Sequence, residues 1–479
     1  MLNKSLILSL LVLFAMAPAA NAEVKLIAVG SLDGKIGDRS TETSAPLENG
    51  VPGNLLGGLG SGLAYAGNNT FIGIPDRGPN AVAYNSAVSD TASYINRFQT
   101  IKLKLVPSNG SSTLPFTLTP RLIDTTLLFS KEPLYYGNGA GLNLPNGAPL
   151  PNGAPALNTK NKNYFTGRSD NFDPTQISTY SNNARFDPEG VRVSNSGEQI
   201  FISDEYGPYV YQFNRNTGKR IKVFNLPSKF AISNLSPVSD TEINGNTSGR
   251  VANKGMEGLA ITPDGKTLFG ILQSPLLQDG GTSGAYTRIV KIDIETGATQ
   301  EYVYQLDNIG TAAKPKYPTV SEILAISDRQ FLVDERDGKG LGDGSKAAFK
   351  KIYHIDLTNA QEVSNITGES NLVGKAVSKS LFLDVVLALT QYGIKEEDIP
   401  AKLEGLAFGK DVKINGVVKH TLFIANDNDF LGTLAADTNH STSVDNPNKF
   451  FVFAVDSTDL PGFVPQKIKG EDEDSRGDD

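Results

Sequence analysis

Four segments of the 479-residue chain repeat one pattern with an acid at a fixed place: "PEGVRV…FISDEYG" from Pro188, "MEGLAITPDGKTLFGILQ" from Met256, "SEILAISDRQFLVDERDG" from Ser321 and "LEGLAFG…HTLFIANDND" from Leu403. Glu189, Glu257, Glu322 and Glu404 open these segments. Asp204 with Glu205, Asp334 with Glu335, and Asp427 with Asp429 close three of them. A weaker copy, "GSGLAYAGNNTFIGIPDRG" from Gly60, has Ser61 in the acid's place, and the copy from Met256 has Gln273 near where others have Asp. Gathered carboxylates repel one another and hold protons unless cations intervene. Their hard oxygens suit Ca²⁺, with Mg²⁺ as the alternative, and Ca²⁺ tolerates a flexible ring of many carboxylates better. Arg77, beside Asp76 in "PDRG", and Arg336, in "DERDG", are the protein cations placed to pair with an acid or to orient a phosphate oxygen. Taken singly, an acid beside a glycine at a strand start serves equally well as an acceptor of backbone hydrogen bonds. Recurrence is what favours a shared site. Tyr206 and Tyr209, after the first Asp-Glu pair, are assigned to packing on a rim.

Other chemistries lack their residues. The chain has no Cys, which excludes thiol chemistry, and its three His, at 354, 420 and 440, are far apart in sequence, which leaves a His-bound zinc site unsupported. No Gly-x-Ser-x-Gly elbow supports a serine nucleophile, and "NGAGLNLPNG" lacks the strand-turn-helix setting of a nucleotide loop. A net charge of −8 argues against nucleic acid as a partner.

The elements that would position the acids are strands. Each copy alternates with period two, turns at a site such as Pro263-Asp264-Gly265, and continues into a second strand rich in β-branched and aromatic residues. A third strand follows in "YVYQFNRNTG", "RIVKIDIETG", "KIYHIDLTNA" and "FFVFAVDSTD". The 48 Gly and 26 Pro fit a chain of many turns. Three or four strands per unit predict an all-β fold, a β-propeller, in which a residue at a fixed place in every repeat lies on a ring around the axis. The copies are spaced 68, 65 and 82 residues apart, so loop insertions are expected, and about 457 residues after the leader predict six or seven blades. The strand-like "EVKLIAVGSL" is expected to pair with the last blade and close the ring.

Residues 1–22 read as a secretory signal cleaved after Ala22, residues 23–466 as a single propeller domain, and residues 467–479 as an acidic disordered tail. No later segment is long and apolar enough to span a bilayer, so the chain is expected to be periplasmic or secreted, without stable membrane insertion. "LPNGAPLPNGAP" from Leu144 reads as an exposed loop, and "SLFLDVVLALTQYG" from Ser380 is the one helical candidate.

Together, "FDPEGVRV…ISDEYGPYVYQF", "NKGMEGLAITPDGKTLFGILQSPL", "TRIVKIDIETG", "SEILAISDRQFLVDERDG" and "KLEGLAFG" resemble the phytase-like proteins described as having esterase-like activity, a mostly bacterial, exported group. The resemblance runs from about Gly60 to Asp456. It implies a propeller with acids at its centre and metal-assisted hydrolysis of phosphate esters. Carried over by position, the expected metal ligands are Glu189, Asp204, Glu205, Glu257, Glu322, Asp334, Glu335, Glu404 and Asp427. The expected catalytic groups are Glu189, Glu257 and Glu404, with Arg77 and Arg336 steadying the phosphoryl group. The expected partner is a small-molecule ester. No dense set of Lys and Arg suits a highly phosphorylated inositol. A metal-dependent lactonase or carboxylesterase, and a non-catalytic calcium-stabilised propeller of the cell envelope, are the competing expectations.

Overall fold

A computed structural model describes residues 24–80, 92–110, 113–139 and 151–470. The signal sequence, most of the tandem "LPNGAP" loop and all but the first residue of "GEDEDSRGDD" lie outside the described residues.

Five antiparallel sheets, each built on four strands, form the body. Blade 1 comprises Gly62–Tyr65, Thr70–Ile74, Arg97–Lys102 and Arg121–Leu127, and blade 2 comprises Pro188–Val193, Gln199–Asp204, Tyr209–Asn214 and Arg220–Asn225. Blade 3 comprises Met256–Ile261, Thr267–Leu272, Tyr286–Asp293 and Thr299–Gln305, and blade 4 comprises Thr319–Ala325, Gln330–Arg336, Lys350–Asp356 and Ser378–Asp384. Blade 5 runs Lys402–Phe408, Val417–Asp427 and Asn448–Val455, and takes the N-terminal strand Lys25–Leu32 as its outermost member. The expected closure by "EVKLIAVGSL" is therefore present, and it ties the two ends of the chain into one sheet.

The blade number corrects the expectation of six or seven. The described residues form five, one for each sequence repeat including the weak one, and much of the other described length lies in connections between and within blades. The largest such stretch, residues 128–187, carries among its described residues the two-residue pair Phe129–Ser130 and Asn163–Tyr164 as its named strands, and packs Phe165 and Phe186 against Tyr211 and Phe213 of blade 2. Dividing chain length by repeat spacing counted these connections as blades.

Both faces of each blade meet a neighbour, which is why inner strands such as Pro188–Val193 and Met256–Ile261 are buried at every residue. An apolar cluster fills each of the five gaps; between blades 3 and 4, for example, Phe269 and Ile271 meet Ile323, Phe331 and Val333. At roughly 25 cal/mol per Å² of apolar area, such faces supply the main stabilising term in a chain without disulfides. The predicted helix from Ser380 is half strand: Ser378–Asp384 is the outer strand of blade 4, and only Val385–Gln391 is helical. Asp384 ends one element and caps the next, accepting from the Leu387 amide, and Val385, Ala388 and Leu389 are buried beneath it.

The glycine that follows the repeated Glu has a steric cause. A Cβ on Gly190 would lie 2.5 Å from the Leu259 nitrogen, one on Gly258 2.7 Å from the Glu322 Cα, and one on Gly62 2.2 Å from the Glu189 carbonyl oxygen. Inner strands of adjacent blades thus pass backbone to backbone, and five of them leave no open channel where Arg192 and Glu322 meet. Arg192 donates to the carbonyls of Leu63 and Ile323 and pairs with Glu322 at 3.0 Å, so one buried guanidinium joins blades 1, 2 and 4 across the axis.

Candidate active site

The strand register puts the repeated Glu and the downstream acids at the same mouth. Pro188 pairs with Asp204, Met256 with Leu272, Thr319 with Arg336, and Lys402 with Asp427, so the start of each inner strand lies beside the end of the next. In blades 2, 3 and 5 the register slips at the Glu itself, between Pro188 and Val191, Met256 and Gly258, and Leu403 and Gly405. A bulge of this kind re-aims a side chain without ending the strand.

Blade 2 supplies the tightest group. Asp187, Glu189 and Glu205 each bring a carboxylate oxygen within 4.8 Å of the others, and all are buried. Asp187 accepts from both the backbone nitrogen and Nη1 of Arg77, at 3.0 and 2.9 Å. Glu205 stands 3.9 Å from the same guanidinium, and its Oε1 is buried without a hydrogen-bond partner. Burial first, and then the neighbouring Glu257 and Asp187 charges, hold Glu189 and Glu205 well above the usual carboxylate range.

A second group joins the first blade to the last. Asp76, two residues past the second strand of blade 1, meets Asp427 and Asp429 of blade 5 within the same 4.8 Å. Lys402 is already among them: its Nζ donates to Asp427 Oδ2 at 2.7 Å and also to Asp429. Burial raises Asp427 to about 6, against the pull of Lys402, while Asp429 is held below its ordinary value because the Lys402 and nearby arginine charges outweigh its burial.

Glu257 and Glu404 lie between the two groups. Gln273 Nε2 donates to Glu257 Oε1 at 2.7 Å, and Lys254 Nζ donates in turn to Gln273 Oε1 at 2.8 Å, which fixes the amide. Glu257 Oε2 is buried with no partner, and burial, followed by the Glu404 charge, pushes this carboxyl up to about 7. Glu404 accepts from Arg336, whose Nε also donates to Ser321 Oγ at 2.8 Å. The bowl thus gathers eight carboxylates against four cations, Arg77, Lys254, Arg336 and Lys402, among the described residues. Its open side is at Asp429 and Lys402, whose side chains are 39% and 29% exposed.

Four expected ligands stand elsewhere. In blade 4 the bulge comes one residue early, between Val320 and Glu322, so Ser321 takes the bulged place and Glu322 changes face. Its Oε1 accepts from the Leu259 and Ile323 amides, each at 2.9 Å, and with Arg192 it closes the axis. Glu335 belongs to an outer network in which Tyr304, Lys379 and the Asp307 amide donate to it. Asp204 holds the turn that follows it, accepting from the amides of Asp187 and Tyr206, and burial raises its carboxyl to about 7. Asp334 is buried near Arg336, Lys350 and Glu404, with burial raising its pKa, and it is in neither close group. Sequence reading missed Asp187 as a site residue, although it begins the "DPEG" motif, and also missed Lys402 and Lys254; an acid two residues ahead of a repeated Glu was the available signal. At the opposite end of blades 3 and 4 an open groove of about 310 Å³, lined by Thr262, Lys291, Tyr302 and Arg329 among others, holds no such cluster of acids among the described residues.

A family model described as phytase-like, esterase-like activity of phytase, matches residues 54–430. An uncharacterized secreted protein of Arthroderma benhamiae is 28% identical over 371 residues, a match that covers 67% of this chain and 66%, just under two thirds, of that relative. Among solved structures, the chain is similar to a periplasmic gluconolactonase of Pseudomonas aeruginosa at 12% identity, with 82% and 88% of the two chains covered and a TM-score of 0.29. It is similar also to a luciferin-regenerating enzyme at 11% identity, with 86% and 97% covered and a TM-score of 0.32. No helix of the described residues is long and apolar enough to cross a membrane.

Proposed function

The chain belongs to the phytase-like family of esterase-like activity, and from that premise we propose that it is an exported, calcium-dependent hydrolase of phosphate esters working at the acidic bowl. The observation that carries this reading is the group of Asp187, Glu189 and Glu205, three buried acids within 4.8 Å of one another, beside a Glu257 whose free oxygen faces no protein donor.

The donor set fits a hard divalent ion. It offers carboxylate oxygens alone, one of them the unpartnered Glu205 Oε1, and burial makes their shared negative charge costly unless a cation joins them. Asp187, Glu189 and Glu205 would hold Ca²⁺, with Mg²⁺ as the alternative; the Asp76, Asp427 and Asp429 group already has the Lys402 ammonium. A bound ion of this kind lowers the pKa of a coordinated water and neutralises ester oxygens.

The chain's own groups supply the rest. Glu257, with its pKa near 7 and one oxygen fixed by Gln273, is suited to take a proton from attacking water at Oε2 and to return one to the leaving group. Arg77, held by Asp187 and Asn253, presents its guanidinium at the edge of the bowl and orients the phosphoryl oxygens. Arg336 fixes Glu404 and neutralises it beside Glu257.

The reading is tested on the purified, metal-stripped protein with a panel of phosphate and carboxylate esters, before and after millimolar Ca²⁺. Turnover that returns with Ca²⁺, disappears with EDTA and falls at least a hundredfold in Glu257→Gln is expected. Equal rates with and without metal, or an unimpaired Glu257→Gln, refute it.

A further inference from the structure

We infer, resting on the reading above, that the bowl accepts an ester bearing at most one negative charge, so that its phosphate substrates are diesters and not monoesters or polyphosphates. The basis is the occupation of every cation. Arg77 is 2.9 Å from Asp187 and also bonded to Asn253. Lys402 lies between Asp427 and Asp429, Arg336 is spent on Glu404 and Ser321, and Lys254 donates to Gln273 at 2.8 Å. None stands apart to receive a second phosphate charge.

Carboxylates outnumber cations in the bowl by eight to four, and each of those four cations is already bonded to a side chain there. A phosphate monoester carries about −1.5 to −2 near pH 7, whereas a diester carries one charge at any pH above its single low pKa. The second charge of a monoester would be brought within a few Å of buried carboxylates, where water screens poorly. A diester, with one charge for Arg77 and any bound ion to meet, would add no second one.

The experiment compares bis(p-nitrophenyl) phosphate with p-nitrophenyl phosphate on the calcium-loaded full-length protein at pH 7.5. In parallel, diphenyl phosphate and phenyl phosphate are compared as ligands by thermal shift at fixed free Ca²⁺. The expected result is a kcat/KM at least tenfold higher for the diester, with diphenyl phosphate giving the larger rise in Tm. Asp429→Asn, which relieves one charge at the open side, should narrow the diester preference at least threefold. A monoester turned over equally well or better, or phenyl phosphate binding more tightly, overturns the inference while leaving calcium-dependent hydrolysis intact. Cleavage of neither ester with Ca²⁺ present overturns the hydrolase reading, and this inference with it.

Discussion

Glu257 allows the electrostatic account to be tested without knowing the substrate. Its carboxyl titrates near 7 in the fold and near 4.3 in an unfolded chain. Between those values the unfolded state has released a proton that the folded state keeps, so stability falls as pH rises through that window and is level above it. The difference amounts to about 3–4 kcal/mol. Glu257→Gln removes it: the amide carbonyl still accepts from Gln273, but nothing ionises. The variant should therefore match the wild type near pH 4 and exceed it by about 3 kcal/mol at pH 7.5 in EDTA. With an unfolding entropy of about 2.1 cal/mol/K per residue over roughly 450 residues, that gain is about 3 °C in Tm. Differential scanning calorimetry of both proteins from pH 4 to 8 measures it. A gain that is the same at both ends of the pH range, or a loss at pH 7.5, would refute the claim that burial and Glu404 burden this carboxyl.

Three further outcomes are expected. Glu322→Ala strands Arg192 at the closed axis and should lower stability by about 3–5 kcal/mol in chemical denaturation while leaving calcium affinity within twofold, since Glu322 is not in the bowl. Gly190→Val places a side chain 2.5 Å from the Leu259 nitrogen and should cost more than about 3 kcal/mol or prevent folding, whereas Gly297→Ala, where a Cβ meets nothing, should be tolerated within about 1–2 kcal/mol of backbone strain. Lys379→Met breaks the outer network around Glu335 and should lower Tm without changing calcium binding, which separates the two acid-rich regions of blade 4 and the bowl.

Much of the architecture was legible because a propeller writes its repeats into the sequence. The recurrent Glu-Gly steps marked inner strands, the Asp-Gly and Asn-Thr-Gly turns marked strand ends, and "EVKLIAVGSL" found its place in blade 5. The blade count was not legible, because residues 128–187 and the other connections have no periodic signal to separate them from blades. The site was half legible. Glu189, Glu257 and Glu404 do share a mouth, but Glu322 looks identical in sequence and differs by a bulge placed one residue earlier, a change of face that period-two reading cannot detect. Its neighbour offered a trace: Ile323 stands where the other three repeats have Gly. Asp187 and Lys402 escaped notice because their importance arises from contacts with Arg77 and Asp427, whose partners lie 110 and 25 residues away.

The central claim is that Asp187, Glu189 and Glu205 together hold a divalent ion. Isothermal titration of Ca²⁺ into the chelator-treated protein tests it most directly, with Glu189→Gln as the paired variant. One site that weakens at least tenfold in the variant, while circular dichroism stays unchanged, is the predicted result. Absence of calcium binding in the wild type, or equal affinity in Glu189→Gln, would contradict it.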